Sequence, residues 1–157
     1  MKRFATALLM VFLVASLAGA GERKPVKPSK KDKCAVCGMF VSGYPDFAAQ
    51  ILFKDGSSAF FDGTKDMFKY YLNMKRYNPA KKEADIDSVY VMDYYGLAPI
   101  DGQTAFYVVG SDVLGPMGKE LIAFRKEADA KAFKKDHKGK KIVSFKEVNN
   151  LLMGELD

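Results

Sequence analysis

An α+β fold built from two similar small halves is what the order of apolar segments predicts. Each half reads strand, strand, helix, strand, and runs of strands and helices in that order argue for α+β rather than an alternating parallel sheet. About 124 residues, Cys34 to Asp157, are enough for one compact domain with a sizeable core. Twelve Phe and eight Tyr suit an interior shared by sheets and helices. The halves fall at about 34–95 and 100–157, and their residue identity is too low to prove a duplication.

In the first half, Phe47 to Lys54 reads as a strand, and Asp55-Gly56 is a hairpin turn into a second strand at Ser58 to Phe61. A helix follows, capped by Asp62 or Thr64, with Met67, Phe68, Tyr71 and Leu72 recurring on one face. It ends before Asn78-Pro79, because proline disfavours helical geometry in the residue before it. A charged loop, Ala80 to Asp85, leads into a strand at Ile86 to Tyr94. In the second half, Thr104 to Val109 is an apolar strand, Gly110 to Lys119 a glycine-punctuated loop, and Glu120 to Arg125 another strand. Glu127 to His137 is predicted helical with Ala128, Ala132 and Phe133 inward, and Gly139 stops it. Lys141 to Ser144 is a last strand, and Ser144-Phe-Lys-Glu147 has capping-box spacing for a short helix through Leu152.

The N-terminus reads as an export signal over residues 1–20. Lys2 and Arg3 precede an apolar run from Phe4 to Leu17 and a small-residue site at Ala18-Gly-Ala20. The run is too short for an ordinary membrane span, an uncleaved anchor being the alternative, and the expected destination is the periplasm. No cysteine follows the apolar run, so a lipid-anchored N-terminus is not expected. The net charge of +6 is unevenly placed. Residues 21–33 hold six basic residues against Glu22 and Asp32, whereas from Cys34 onward 17 basic residues face 17 acidic ones. A neutral body argues against a nucleic-acid partner. The basic segment, with Pro25 and Pro28, reads as a disordered linker that either touches anionic lipid or an acidic partner weakly or has no binding role.

Chemistry concentrates in Cys34-Ala-Val-Cys-Gly-Met39. Both cysteines of the chain lie there, with a thioether two residues on. Thiolates and thioethers favour Cu(I) over hard cations, and Gly38 permits a tight turn that lets Cys37 and Met39 face one ion. Structural zinc takes four ligands, and His137, the one histidine, ends a lysine-rich helix where a cation is ordinary electrostatics. A disulfide closing so small a loop would constrain little of the unfolded chain. A thioredoxin-like pair needs a strand before it and a helix after it, and the residues around Cys34 supply neither. Met117, between Pro116 and Gly118 in a loop, is either a functional loop residue or a gap filler. Met67 reads as core, and no paired-carboxylate or phosphate-loop motif supports enzyme activity.

Several segments resemble the NosL family of nitrous oxide reductase accessory proteins. They are Cys34 to Met39, Tyr44-Pro45, Phe47 to Ile51, Phe60-Phe-Asp-Gly63 and Asp66-Met-Phe68 in the first half. The second half adds Val109 to Gly118, Glu120-Leu-Ile122, Ala132-Phe133 and Ser144-Phe145. The resemblance implies a fold related to organomercurial lyase and a periplasmic Cu(I) chaperone rather than an enzyme. Its acceptor would be a copper enzyme, nitrous oxide reductase or a similar one, or membrane assembly machinery, and a homodimer is allowed. By position it implies Cys37 and Met39 as metal ligands, with Met117 next and Cys34 either a further ligand or a redox partner of Cys37. The competing reading is a periplasmic thiol–disulfide protein using the two cysteines.

Overall fold

The computed structural model describes residues 23–156, so the expected signal at 1–20 lies outside the described residues. Two antiparallel sheets carry the fold. The first is formed by β1 (Ala49–Phe53), β2 (Ser58–Phe61), β3 (Ile86–Asp93) and β4 (Ala98–Asp101), in the order β2-β1-β3-β4. The second is formed by β5 (Phe106–Gly115), β6 (Gly118–Phe124) and β7 (Lys141–Ser144), in the order β6-β5-β7. Helices α1 (Thr64–Leu72) and α2 (Met74–Tyr77) connect β2 to β3, α3 (Glu127–Asp136) connects β6 to β7, and α4 (Asn150–Gly154) closes the chain. In each half the first strand is central, its hairpin partner lies on one side, and the strand after the helix lies on the other. The two-half α+β expectation is therefore the observed architecture.

Period-two alternation places the second sheet between two apolar layers. Tyr107, Val109, Leu121 and Ala123 face a core shared with Ile51, Phe61, Met67 and Phe68 of the first half. Val108, Ile122 and Phe124 face the other way, onto Ala130 and Phe133 of α3. The sheets are joined where the Tyr94 N–H donates to the Ala123 carbonyl at 3.0 Å and the Arg125 N–H to Asp93 Oδ1 at 2.9 Å.

Several expectations need correction. Residues 110–115 are not loop: β5 runs on to Gly115 through an irregularity between Val109 and Leu114, with Gly110 at φ +75°. Gly115 pairs with Gly118, so Pro116-Met117 is a two-residue hairpin turn. Strand β4 is not among the strands expected from the sequence; its Pro99 is tolerated because β4 is an edge. Ala128 and Ala132 are exposed, and Ala130 with Phe133 forms the inner face of α3. Tyr70 is buried deeper than Tyr71. Ser144 and Glu147 do pair, at 2.7 Å, but around a single 3-10 turn at Phe145–Glu147; Asn149 caps α4 by accepting from the Leu152 N–H at 3.1 Å.

The stretch expected as a disordered linker is instead held on the first sheet. Gln50, buried on the outer face of β1, donates to the Val26 carbonyl at 3.0 Å and accepts from the Val26 N–H at 2.8 Å. Arg23 reaches the Phe53 carbonyl at 3.0 Å, and its own carbonyl accepts from the Tyr90 hydroxyl at 2.9 Å. Backbone polar groups that find such fixed partners hold a segment that lacks an apolar face of its own.

Candidate metal centre

The Cys34–Met39 segment is a closed loop. The Cys34 N–H donates to the Met39 carbonyl at 2.8 Å, the Gly38 N–H to the Cys34 carbonyl at 3.0 Å, and Gly38 turns at φ +80°, a region glycine enters freely. Lys33 and Phe40 pair across its mouth, and Cys34 lies beside Phe60 at the end of β2, where the Ala35 N–H donates to the Phe60 carbonyl at 3.0 Å. That pairing carries the loop to Asp62, just past β2, and to Asp66 in the first turn of α1.

Both thiols are free, and they meet both carboxylates. Cys34 Sγ lies 3.3 Å from Asp66 Oδ2 and Cys37 Sγ lies 3.4 Å from Asp62 Oδ1. One ligand atom from each of the four residues falls within 4.8 Å of all the others. Cys34, Asp62 and Asp66 are buried, and Cys37 is half-buried. Asp62 Oδ2 is buried without a hydrogen-bond partner among the described residues. A carboxylate oxygen left so is costly unless a cation or proton meets it. Burial pushes the Cys34 thiol well above its ordinary range, with the Asp62 carboxylate adding to it, and burial raises Cys37 in the same direction. Without a metal the thiols thus stay protonated and donate to the carboxylates, and a cation that takes their sulfur must displace those protons.

The expected ligands divide into two groups. Cys34 and Cys37 are brought together. Met39 follows them in the same loop, half-buried. Met117 comes from the other half and is 45% exposed. Its turn is nonetheless fastened to the N-terminal end of α1. Lys65, only 3% exposed, donates through Nζ to the Met117 carbonyl at 2.7 Å and, at 3.4 Å, to the carbonyl of Leu156. Glu120 of β6, also 3% exposed, accepts from the Lys65 and Leu121 N–H groups. Neither Asp62 nor Thr64 caps α1, as the sequence suggests; the N-cap is Gly63, and Glu120 supplies the missing acceptor from across the domain. A Cβ at Gly63 would overlap the Glu120 carboxylate and lie 3.6 Å from Pro116 Cδ, so glycine is what lets the turn approach.

Sequence reasoning missed both carboxylates as site residues. The available signal was their spacing: Asp62 and Asp66 stand four apart across a helix start, just after the strand β2 that the cysteine loop pairs with.

Two thiols and two carboxylates within reach of one ion on an α+β scaffold fit a protein that binds a metal ion. The comparisons with known proteins sharpen that class. The NosL family model matches residues 25–153. The copper-binding lipoprotein NosL of Stutzerimonas stutzeri is 32% identical over 164 residues, covering 94% of this chain and 82% of that protein. The crystal structure of the copper chaperone NosL from Shewanella denitrificans superposes with a TM-score of 0.70 at 26% identity, covering 82% of this chain and 97% of that one. The solution structure of apo-NosL from Achromobacter cycloclastes is also 26% identical, with a TM-score of 0.47, over 67% of this chain and 87% of that one. The chain belongs to the NosL family.

Proposed function

We propose that this protein is a copper-binding chaperone of the periplasm that carries Cu(I) and supplies it for maturation of nitrous oxide reductase or a similar copper enzyme. The observation that carries the reading is the pair of free thiols against two buried carboxylates, one oxygen of which has no partner among the described residues. Relatives named as copper-binding and as copper chaperones support it. Among the described residues no helix is long and apolar enough to cross a membrane.

Cys34 and Cys37 are the primary ligands in this reading, as thiolates, with Met39 and Met117 as thioether donors. Sulfur donors select Cu(I), whereas Asp62 and Asp66 are hard oxygen groups that accept the thiol hydrogens in the metal-free protein. Cys37 is half-buried and Met117 exposed, so an acceptor's ligands can attack from that side while Cys34 still holds the ion. Copper is the cargo, and transfer proceeds by ligand exchange. Anaerobic Cu(I) competition titration of the wild type beside Cys34→Ser and Cys37→Ser tests the reading. Both variants are expected to lose tight binding, and unchanged affinity in Cys37→Ser would remove that residue from the site.

The thiol–disulfide alternative is less well supported. Redox-active cysteines need a depressed thiol pKa, and burial raises both of these. The backbone at Cys34 opens a tight loop instead of a helix.

A further inference from the structure

Beside the metal loop lies a groove of about 360 Å³, walled on one side by the segment held on Gln50 and on the other by the first sheet. Val26 and Pro28 form the near wall, Val41 and Pro45 one end, and Tyr90 with Met92 the sheet side. Its lining is mostly apolar, and Val41 stands two residues beyond Met39, so the groove begins where the metal loop ends.

The edge of this groove is positively charged. Lys24, Lys27 and Lys30 recur every third residue in this proline-containing segment; all three are exposed, and Lys27 itself lines the groove. Lys31 and Lys33, also exposed, continue the charge toward the loop. Asp32, the acidic residue among them, is occupied by the Ser29 N–H at 2.6 Å. Lys24, Lys27, Lys30 and Lys31 make no ion pair among the described residues. The body from Cys34 onward is balanced in charge, so nearly all the surplus of the described chain lies in the segment 23–33 that leads into the metal loop. Val26, Phe40 and Tyr44 add exposed apolar surface, at 39%, 53% and 36%.

We propose that this groove and its lysine edge form the docking surface for an acidic segment of the copper acceptor, with an apolar side chain seated between the wall and the sheet and carboxylates along the lysines. The identity of the partner as a copper acceptor rests on the chaperone reading; the chemistry of the surface does not. A planar lipid surface would use the charge and leave the concavity unused, whereas an extended acidic chain uses both. Complementary charge speeds encounter and sets register, and the apolar anchor supplies the contact that persists in salt.

The test uses metal-free protein and a labelled twelve-residue peptide of alternating glutamate and leucine, followed by fluorescence anisotropy at low and high salt. Control peptides replace every glutamate by lysine or every leucine by serine. The acidic apolar peptide is expected to bind at least about tenfold more tightly than either control, with affinity falling as salt screens the pairs. The double variant Lys27→Glu/Lys30→Glu should lose that preference while keeping its thermal melt and Cu(I) affinity. Ala48→Phe, which fills the groove, should weaken the leucine peptide and leave the serine peptide unchanged. Equal binding of the three peptides overturns the proposal, as does a double variant that binds like wild type. Capture by vesicles of anionic phospholipid with no peptide binding also overturns it, in favour of a membrane surface. Because the peptide assay contains no copper, failure of Cu(I) loading would sink the chaperone reading without touching this one.

Discussion

Asp62 shows how a residue's surroundings decide what it can do. Its carboxylate is fully buried, one oxygen sits 3.4 Å from Cys37 Sγ, and the other has no partner among the described residues. Such a group destabilises the metal-free fold, so Asp62→Asn is expected to stabilise it by about 1 kcal/mol, read as a higher urea midpoint. The same substitution should weaken metal binding, which is the trade expected where a site is kept poised for a ligand. A destabilised Asp62→Asn protein would show that the carboxylate serves the fold. Met117 is the second residue to test. If its thioether reaches the copper, Met117→Ala lowers Cu(I) affinity about tenfold, or about 1.4 kcal/mol, with no change in thermal midpoint, since the side chain is 45% exposed and its carbonyl holds Lys65 regardless.

The decisive element is the start of α1. Helix N-termini leave N–H groups without partners, and this one borrows an acceptor from β6. Gly63 and Gly115 make room for the Glu120 carboxylate, so Gly63→Ala is expected to cost about 2 kcal/mol by forcing the β5–β6 hairpin away, measured by chemical denaturation. Burial raises the Glu120 carboxyl to about 8, against the two N–H groups and Lys65 that favour its charge. A carboxyl raised in the folded state binds a proton there that the unfolded chain has already released. Its contribution is therefore greatest below the ordinary glutamate range and is lost as pH rises through about 8. Metal-free protein should lose stability between pH 5 and pH 8.5, and Glu120→Gln should flatten that decline. A Glu120→Gln profile parallel to wild type would place the responsible group elsewhere.

At the scale of the whole molecule, the candidate metal cluster sits beside the contact between the two halves. The thiols and carboxylates belong to the first half, Met117 and Glu120 to the second, and Lys65 ties the two by donating to the Met117 and Leu156 carbonyls. The segment over the first sheet adds the outer layer and holds its positive charge in place. Gln50→Ala removes both hydrogen bonds to Val26, and faster amide hydrogen exchange confined to residues 23–31 is the expected result. Exchange that accelerates throughout β1 instead would make Gln50 a support of the strand itself.

How much of this was legible beforehand follows from the range of each interaction. The apolar strands at Thr104 to Val109 and Glu120 to Arg125, the turn at Asp55-Gly56 and the grouping of both cysteines in Cys34–Met39 are local, and the sequence by itself determined them, along with the family. The Pro116-Met117 hairpin was hidden because glycine and proline mark a long loop and a tight turn alike, and only pairing of Gly115 with Gly118 separates the two. Asp62 and Asp66 looked like helix-start residues because a carboxylate there is ordinary. Only tertiary structure placed Cys34 beside Phe60, turned both carboxylates toward the thiols and let Glu120 cap a helix 55 residues away. Those contacts join residues far apart in the chain, and their strength comes from burial that no local pattern records.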